Sequence, residues 1–262
     1  MEIMGYILAI VVGITLGLIG GGGSILTVPI LVYIFSIKPE LATTYSLFIV
    51  GISSLIGSIK HYKLGNLKVN AAVGFGIPAL VSLLTIRKLV LPQIPQELFT
   101  INNFIVTKDL LLMIVFAVLM IAASTSMIKK SKVNNAAKLP NKFSLAIIGL
   151  LVGTVTGFLG AGGGFLIIPA LVFFASLEMK QAVGTSLIII ATNALIGFGG
   201  DMLNNVVVDF KLLFIFSALS IVGIFIGTNL SKKIDGNKLK PAFGWFVLVM
   251  GIYIIIKEVF FK

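Results

Sequence analysis

The feature that most constrains this chain is a glycine run that occurs twice. Gly17-Leu-Ile-Gly20-Gly21-Gly22-Gly23-Ser24 is followed by Pro29. Gly157-Phe-Leu-Gly160-Ala161-Gly162-Gly163-Gly164, 140 positions on, is followed by Pro169. Both runs interrupt long apolar segments. Inside a bilayer, a broken backbone is tolerated only where protein or a wet cavity satisfies the freed polar groups. A matched pair of such breaks, one per half, points to the binding site of a transporter.

The bilayer itself follows from composition. The chain has 262 residues, 58% hydrophobic and 11% charged, with a mean hydropathy of +1.14. That leaves too little polar surface to clothe a soluble domain of this size. The segments are continuously apolar and about bilayer length, which excludes an alternating β-barrel. The net charge of +11 sits on lysines between apolar segments, so it reads as topology and anionic-lipid contact, not nucleic-acid binding. With no cysteine, disulfide, thiol and iron–sulfur chemistry are excluded. The N-terminus has no basic stretch and no small-residue cleavage site, so residues 5–19 read as a retained segment.

Ten apolar segments are predicted: 5–19, 24–37, 41–60, 69–90 and 108–128, then 143–160, 164–178, 180–200, 209–230 and 240–260. Residues 1–128 form a first transmembrane repeat, 129–142 a basic cytoplasmic linker, and 143–262 a second repeat. Residues 91–107, with Pro92 and Pro95, read as a long loop without a counterpart.

The repeat is explicit. Positions 13–61 laid without gaps on 153–201 give 17 identities in 49, including six glycines, Pro29/Pro169 and Ser46/Ser186. Apolar composition matches Leu and Ile by chance, but not six glycines in register. Five segments per half is an odd number, so the second copy enters the membrane inverted. The expected fold is an all-α polytopic transmembrane bundle of two inverted five-segment repeats, with broken or re-entrant helices at the glycine runs. Loops 60–68, 129–142, 178–180 and 231–240 share one side and hold 13 of the 20 Lys and Arg, which makes that side cytoplasmic. The segments beside the glycine runs are short. Each pair suits a hairpin whose tip stops inside the membrane.

A helix starting at such a tip offers unpaired N–H groups and a positive dipole end to an anion. Glycine lets the ligand approach that backbone. The predicted substrate-binding residues are therefore Gly20, Gly21, Gly22, Gly23, Ser24, Gly160, Gly162, Gly163 and Gly164. To these are added Ser46, Thr185, Ser186 and Asn193, polar groups inside apolar segments. The competing reading is close packing by small residues, with hydroxyls bonding their own helix carbonyls.

His61 reads as a solvated loop residue beside Lys60 and Lys63. Arg87, the single arginine, reads as snorkelling to the interface, with a part in anion gating as the alternative. The nine acidic residues fall at predicted segment ends or loops, which argues against a carboxylate proton relay within the membrane. No metal cluster or catalytic dyad is visible. The glycine runs lack the Lys-Ser/Thr that a P-loop requires. No catalytic residue, metal or cofactor is predicted, and the chain does not read as an enzyme.

At these residues the chain resembles the TauE/SafE family of bacterial membrane proteins, the sulfite exporter or TSUP family. The resemblance rests on the doubled glycine pattern, on Ala182-Val-Gly-Thr-Ser186, and on Val208-Asp209 opening the ninth segment. The first copy departs from it, with Ala42-Thr-Thr-Tyr-Ser46 and Val69-Asn70 at the corresponding places. The resemblance implies transport of a small anion such as sulfite, a sulfonate or a related organic anion across the bacterial inner (plasma) membrane, as export. The partners expected are that anion and the lipid bilayer, with no nucleic acid; oligomeric state is not legible. The alternatives are a non-transporting interaction or sensor subunit, whose glycine runs only pack, and an anion channel of the same architecture. A tight Gly-to-Gly contact without a cavity would favour packing, and a wet cavity at both tips would favour transport.

Overall fold

The computed structural model describes residues 2–101, 104–128, 142–159, 164–204, 206–234 and 236–260. Ten helices run through them. They are α1 (Glu2–Ile19), α2 (Gly22–Tyr33), α3 (Pro39–Lys63), α4 (Val69–Thr85) and α5 (Lys108–Ile128), then α6 (Lys142–Leu159), α7 (Gly164–Phe174), α8 (Met179–Leu203), α9 (Phe210–Lys233) and α10 (Gly236–Phe260). They correspond one to one with the ten predicted segments. The linker 129–142 lies outside the described residues except for Lys142.

Among the described residues, five stretches are long and apolar enough to cross a membrane: Pro39–Lys63, Val69–Gln93, Lys108–Thr125, Met179–Leu203 and Phe210–Lys233. The helices that start at the glycine runs are short. At about 1.5 Å per residue, the 11 residues of α7 span about 16 Å, roughly half of a hydrocarbon core of about 30 Å. Large apolar side chains face outward in stripes, such as Val73, Ile77 and Val81 on α4, each more than half exposed. Water would penalise such a surface and lipid does not. This is a multi-pass membrane protein.

Local chemistry sets the helix ends. Pro39 opens α3 in its first turn, followed by Glu40, while Lys60, His61 and Lys63 occupy the last turn, charges that complement the helix dipole. Asp209 caps α9, its carboxylate accepting from the N–H groups of Lys211 and Leu212. The Val208-Asp209 pair noticed in the sequence is thus a helix start.

Residues 91–107 are not a plain loop. A five-residue π-helical stretch, Ile86–Val90, and a 3-10 turn, Leu91–Gln93, continue α4. An antiparallel hairpin follows, β1 (Glu97–Ile101) against β2 (Phe104–Thr107). Pro92 and Pro95 end the helix, and the β-branched and aromatic residues behind them pair as strands.

The principal helix partners are α1 with α9, α4 with α6, α5 with α10, and α3 with α8. Glycines reveal their directions. A β-carbon at Gly13 would lie 1.9 Å from the Ser220 carbonyl oxygen, and one at Gly17 would lie 2.6 Å from that of Ile224, so α1 and α9 run parallel. The α6 glycines Gly149 and Gly153 meet the carbonyls of Phe75 and Ala79 on α4 in the same sense. By contrast, Gly51 meets Leu195 and Gly57 meets Leu187, so α3 and α8 run antiparallel.

Equivalent details recur in both halves. Ser36, after α2, and Ser176, after α7, both adopt a left-handed backbone, at φ 55° and 51°. That conformation is uncommon outside glycine. The N–H of Ile37 bonds back to Leu31, and that of Leu177 to Leu171. The N–H of Lys68 donates to the Thr185 hydroxyl on α8 (3.0 Å), and the N–H of Asp209 to the Tyr45 hydroxyl on α3 (2.6 Å).

Candidate functional site

The first glycine run forms the tip of a hairpin. Gly23 at the start of α2 lies against Val12 and Leu16 of α1, and Gly5 near the start of α1 lies against Ile34 and Phe35, so the two helices double back. Gly20 makes the turn at φ +76°, where a side chain would be strained and its β-carbon would come 2.7 Å from Ser186 Oγ. Gly21 precedes α2, and no side chain caps the first turn. Gly21 has no side chain with which to cap the N–H groups of that turn, at Gly22, Gly23 and Ser24.

The second run is described only at Gly164. Gly160, Gly162 and Gly163 lie outside the described residues. A β-carbon at Gly164 would lie 2.5 Å from Gly21 Cα, 2.6 Å from Ile190 and 3.1 Å from Ser24 Oγ. The starts of α2 and α7 therefore touch each other against the middle of α8. Of the predicted residues, the structure brings together Gly20, Gly21, Ser24, Gly164 and Ser186.

Two of the predicted hydroxyls bond the backbone of their own helix or tip. Ser24 donates to the Gly21 carbonyl at 2.7 Å and Ser186 to that of Val183 at 2.9 Å. Thr185 faces the other way and holds the loop at Lys68. Ser46 and Asn193 differ: Ser46 Oγ and Asn193 Oδ1 are buried and have no hydrogen-bond partner among the described residues. The same is true of Ser53 and Ser54. The α3–α8 register that sets Gly51 at Leu195 also sets Ser53 at the level of Asn193, near the middle of both helices. Ser186, Ile190 and Asn193 lie on one stripe of α8, at helical spacing, and the first two touch the glycine tips. Ser53 and Ser54 are not among the residues selected from the sequence. The signal was present, because Ser53 is the counterpart of Asn193 at the 140-residue offset.

Two sequence expectations are corrected by burial. Arg87 does not snorkel. It sits 7% exposed in the π-helical stretch and forms an ion pair with Asp201. Its Nε donates to Asp201 Oδ1 at 2.9 Å, and its terminal nitrogens reach Asp201 Oδ2, Thr44 Oγ1 (3.2 Å) and the Gly157 carbonyl (3.4 Å). Thr44 in turn donates to Asp201 Oδ2 at 2.7 Å. Helix α8 extends past its predicted end, so Asp201 is covered in its last turn. His61 is likewise buried, not solvated. Its ring nitrogens lie 3.4 Å from the Gly17 carbonyl and from Asn66 Nδ2, both at the long limit for a hydrogen bond. Glu258, also predicted at a segment end, is buried and accepts from the Tyr33 hydroxyl at 2.8 Å.

The larger cavity described, about 600 Å³, lies between α5, α6 and α7 and is walled by apolar groups including Leu151, Leu166 and Phe173. It offers an anion nothing. The polar residues of interest are those at the glycine tips and the α3–α8 crossing.

Short helices that start at the two glycine runs and touch at their first residues, among longer helices with outward apolar stripes, define the class: a multi-pass helical membrane protein. The chain belongs to the sulfite exporter TauE/SafE family, whose model matches residues 6–254. A "Probable membrane transporter protein" of Xylella fastidiosa (strain 9a5c) is 29% identical over 247 residues, covering 93% of this chain and 91% of that one. Proteins of the same description from Methanocaldococcus jannaschii and Haemophilus influenzae are each 28% identical, covering 95% and 94% of this chain and 94% of each relative. No solved structure matches the chain.

Proposed function

We propose that this chain is a secondary transporter that exports a small anion, such as sulfite, a sulfonate or a related organic anion, across the plasma membrane by alternating access. The observation that carries this reading is that, among the described residues, Ser46, Ser53, Ser54 and Asn193 on α3 and α8 each have a buried polar atom without a partner, as Ser217 and Thr228 on the neighbouring α9 also do. Most other hydroxyls in this bundle bond a nearby carbonyl of their own helix, as Thr15, Thr27, Ser58 and Ser124 do. Packing alone gives no reason for four polar groups mid-helix to forgo a bond. Each unsatisfied group costs about 1–3 kcal/mol. A bound oxyanion would accept from the three serine hydroxyls, and the uncapped first turn of α2 would supply further donors; Asn193 Oδ1 accepts and would take a proton from a hydroxyl or water beside the anion.

The inverted-repeat reading is supported by the antiparallel course of α3 and α8, the shared serine turns and the crossed ties at Tyr45 and Thr185. The units that move would not be the sequence halves. Helix α9 lies with α1 and α3, and α4 with α6 and α8, so each half lends its fourth helix to the other. Alternating access is then a rocking of α1, α2, α3 and α9 against α6, α7, α8 and α4. An inside-negative potential drives a monovalent anion outward by about 2.3 kcal/mol per 100 mV. Export needs no coupled ion.

The test is uptake and efflux of radiolabelled sulfite in proteoliposomes under an imposed potential, with unlabelled anions as competitors. Saturable, competed, potential-driven flux is expected. Asn193→Ala should raise the half-saturation concentration about tenfold, the equivalent of about 1.4 kcal/mol. The tight contact of Gly164 with Gly21 favours a second reading, a membrane subunit or sensor whose glycine runs only pack helices. Folded protein with no flux of any tested anion would decide for that reading. Flux that never saturates would decide for a channel.

A further inference from the structure

We propose that Arg87, Asp201 and Thr44 form a one-sided gate on the transport pathway, closed in this structure where Thr44 docks on the Arg87–Asp201 ion pair. The inference rests on the transport reading above. Three observations carry it.

The first is cost. A buried ion pair is weak support for stability, since a well-packed apolar pair does as well or better. Here the chain's single arginine is spent on one, with every partner buried: the Asp201 carboxylate, the Thr44 hydroxyl and the Gly157 carbonyl. The pair neutralises itself within its own body, so it presents a fixed docking point that a hydroxyl from the other body can meet or leave.

The second is position. The cluster joins the second turn of α3, the end of α4, the end of α6 and the end of α8. In the rocking units above, α3 belongs to one body and α4, α6 and α8 to the other. Thr44 is thus the contact across the moving boundary, and Arg87 and Asp201 are held together within one body to receive it. Gly157 lies at the end of the helix that leads into the second glycine run. The arginine is carried on a π-helical stretch, a distortion that recurs at functional sites.

The third is asymmetry. Asp201 and His61 are counterparts at the 140-residue offset, as are Gly157 and Gly17. Asp201 and His61 therefore stand at opposite ends of the antiparallel pair α3 and α8 and open on opposite faces. His61 touches the Gly17 carbonyl, just as the Arg87–Asp201 cluster touches that of Gly157. Yet the glycine contacts set Ser220 and Ile224 of α9 where Ala79 and Leu83 stand on α4, so the counterpart of Arg87 is Thr228, a buried uncharged residue beside Gly17. At one mouth a hydroxyl docks on an ion pair, and at the other His61 makes only long contacts.

The chain's lack of cysteine makes the test direct. Ala194, fully buried on α8 beside Asn193, is replaced by Cys as a reporter. A membrane-impermeant maleimide is applied from each face of sealed vesicles in turn. Exposed Lys63 and Gln93, each replaced by Cys in a separate chain, identify the His61 face and the Arg87 face.

The decisive variant is the double substitution Arg87→Gln/Asp201→Asn, which removes both charges together and leaves neither buried alone. It should speed reporter labelling from the Arg87 face at least tenfold and leave labelling from the His61 face unchanged. The exchanged pair, Arg87→Asp/Asp201→Arg, should return the rate towards the original. An unchanged rate, or an equal rise from both faces, overturns the gate. If the double variant does not fold, Thr44→Val serves instead, with a rise from the Arg87 face alone as the expected result and no rise as the refutation. Labelling does not depend on which anion is carried. A failed gate with intact sulfite flux leaves the transport reading standing, and one-sided labelling without flux leaves the gate and removes the carrier.

Discussion

The two ends of the α3–α8 pair have the same skeleton and different chemistry. At one, His61 reaches the Gly17 carbonyl; at the other, Asp201 draws in Arg87, Thr44 and the Gly157 carbonyl. Around them the backbone repeats closely, down to two serines in the same left-handed turn. The comparison teaches what each layer of the molecule is for. Glycines specify how the helices of the frame meet, and they are held there because a β-carbon at most of these crossings would strike backbone. The polar side chains hung on that frame differ from one half to the other, and a molecule whose faces do different things needs that difference.

The comparison breaks first at positions 201 and 61. Asp201→Ala leaves Arg87 buried without its partner and should cost about 3–5 kcal/mol. His61→Gln keeps most of the buried volume, loses only long contacts and should cost about 1 kcal/mol or less. Thermal unfolding in detergent reads both, and equal losses would erase the distinction between the two ends. The frame is tested next. Gly13→Val and Gly153→Val both drive side-chain atoms into a carbonyl of the facing helix, Ser220 and Ala79 respectively. Each should cost about 1–3 kcal/mol, and by a similar amount. A large loss from one and none from the other would mean that the halves are not equivalent in packing. The smallest effect is at the turns. Ser36→Gly and Ser176→Gly relieve an unfavourable φ, and each should gain between zero and about 1 kcal/mol. Opposite signs would show that the two turns only look alike.

Much of the fold was legible because it is written in residue types that have few substitutes. The glycine runs, Pro29 and Pro169, and the length of the apolar segments marked ten helices and their duplication. The hairpin at 97–107 was less visible, because two prolines dominate the segment and its strands, Glu97–Ile101 and Phe104–Thr107, are short. The site was legible only in part. Sequence does not tell which hydroxyls bond their own helix: Ser46 and Ser186 are counterparts, yet Ser186 is satisfied and Ser46 is not. Nor does it reveal that Arg87 meets Asp201. They are 114 positions apart, off the repeat offset, and each taken alone has the ordinary look of a charge at a helix end. Their pairing depends on α4 packing along α6 and α8, which is tertiary information.

That packing also has a consequence in time. Helix α1 finds its main partner in α9, whose contact residues Ser220 and Gly223 follow Gly13 by about 200 positions. At a synthesis rate of about 5–20 residues per second, α1 waits roughly 10–40 s in the membrane for the surface it is shaped to meet. The carbonyl-lined groove beside Gly13 and Gly17 stays open to lipid throughout that interval. The nascent first half is therefore an unfinished object, and its survival until α9 arrives is a task for the machinery that inserts it.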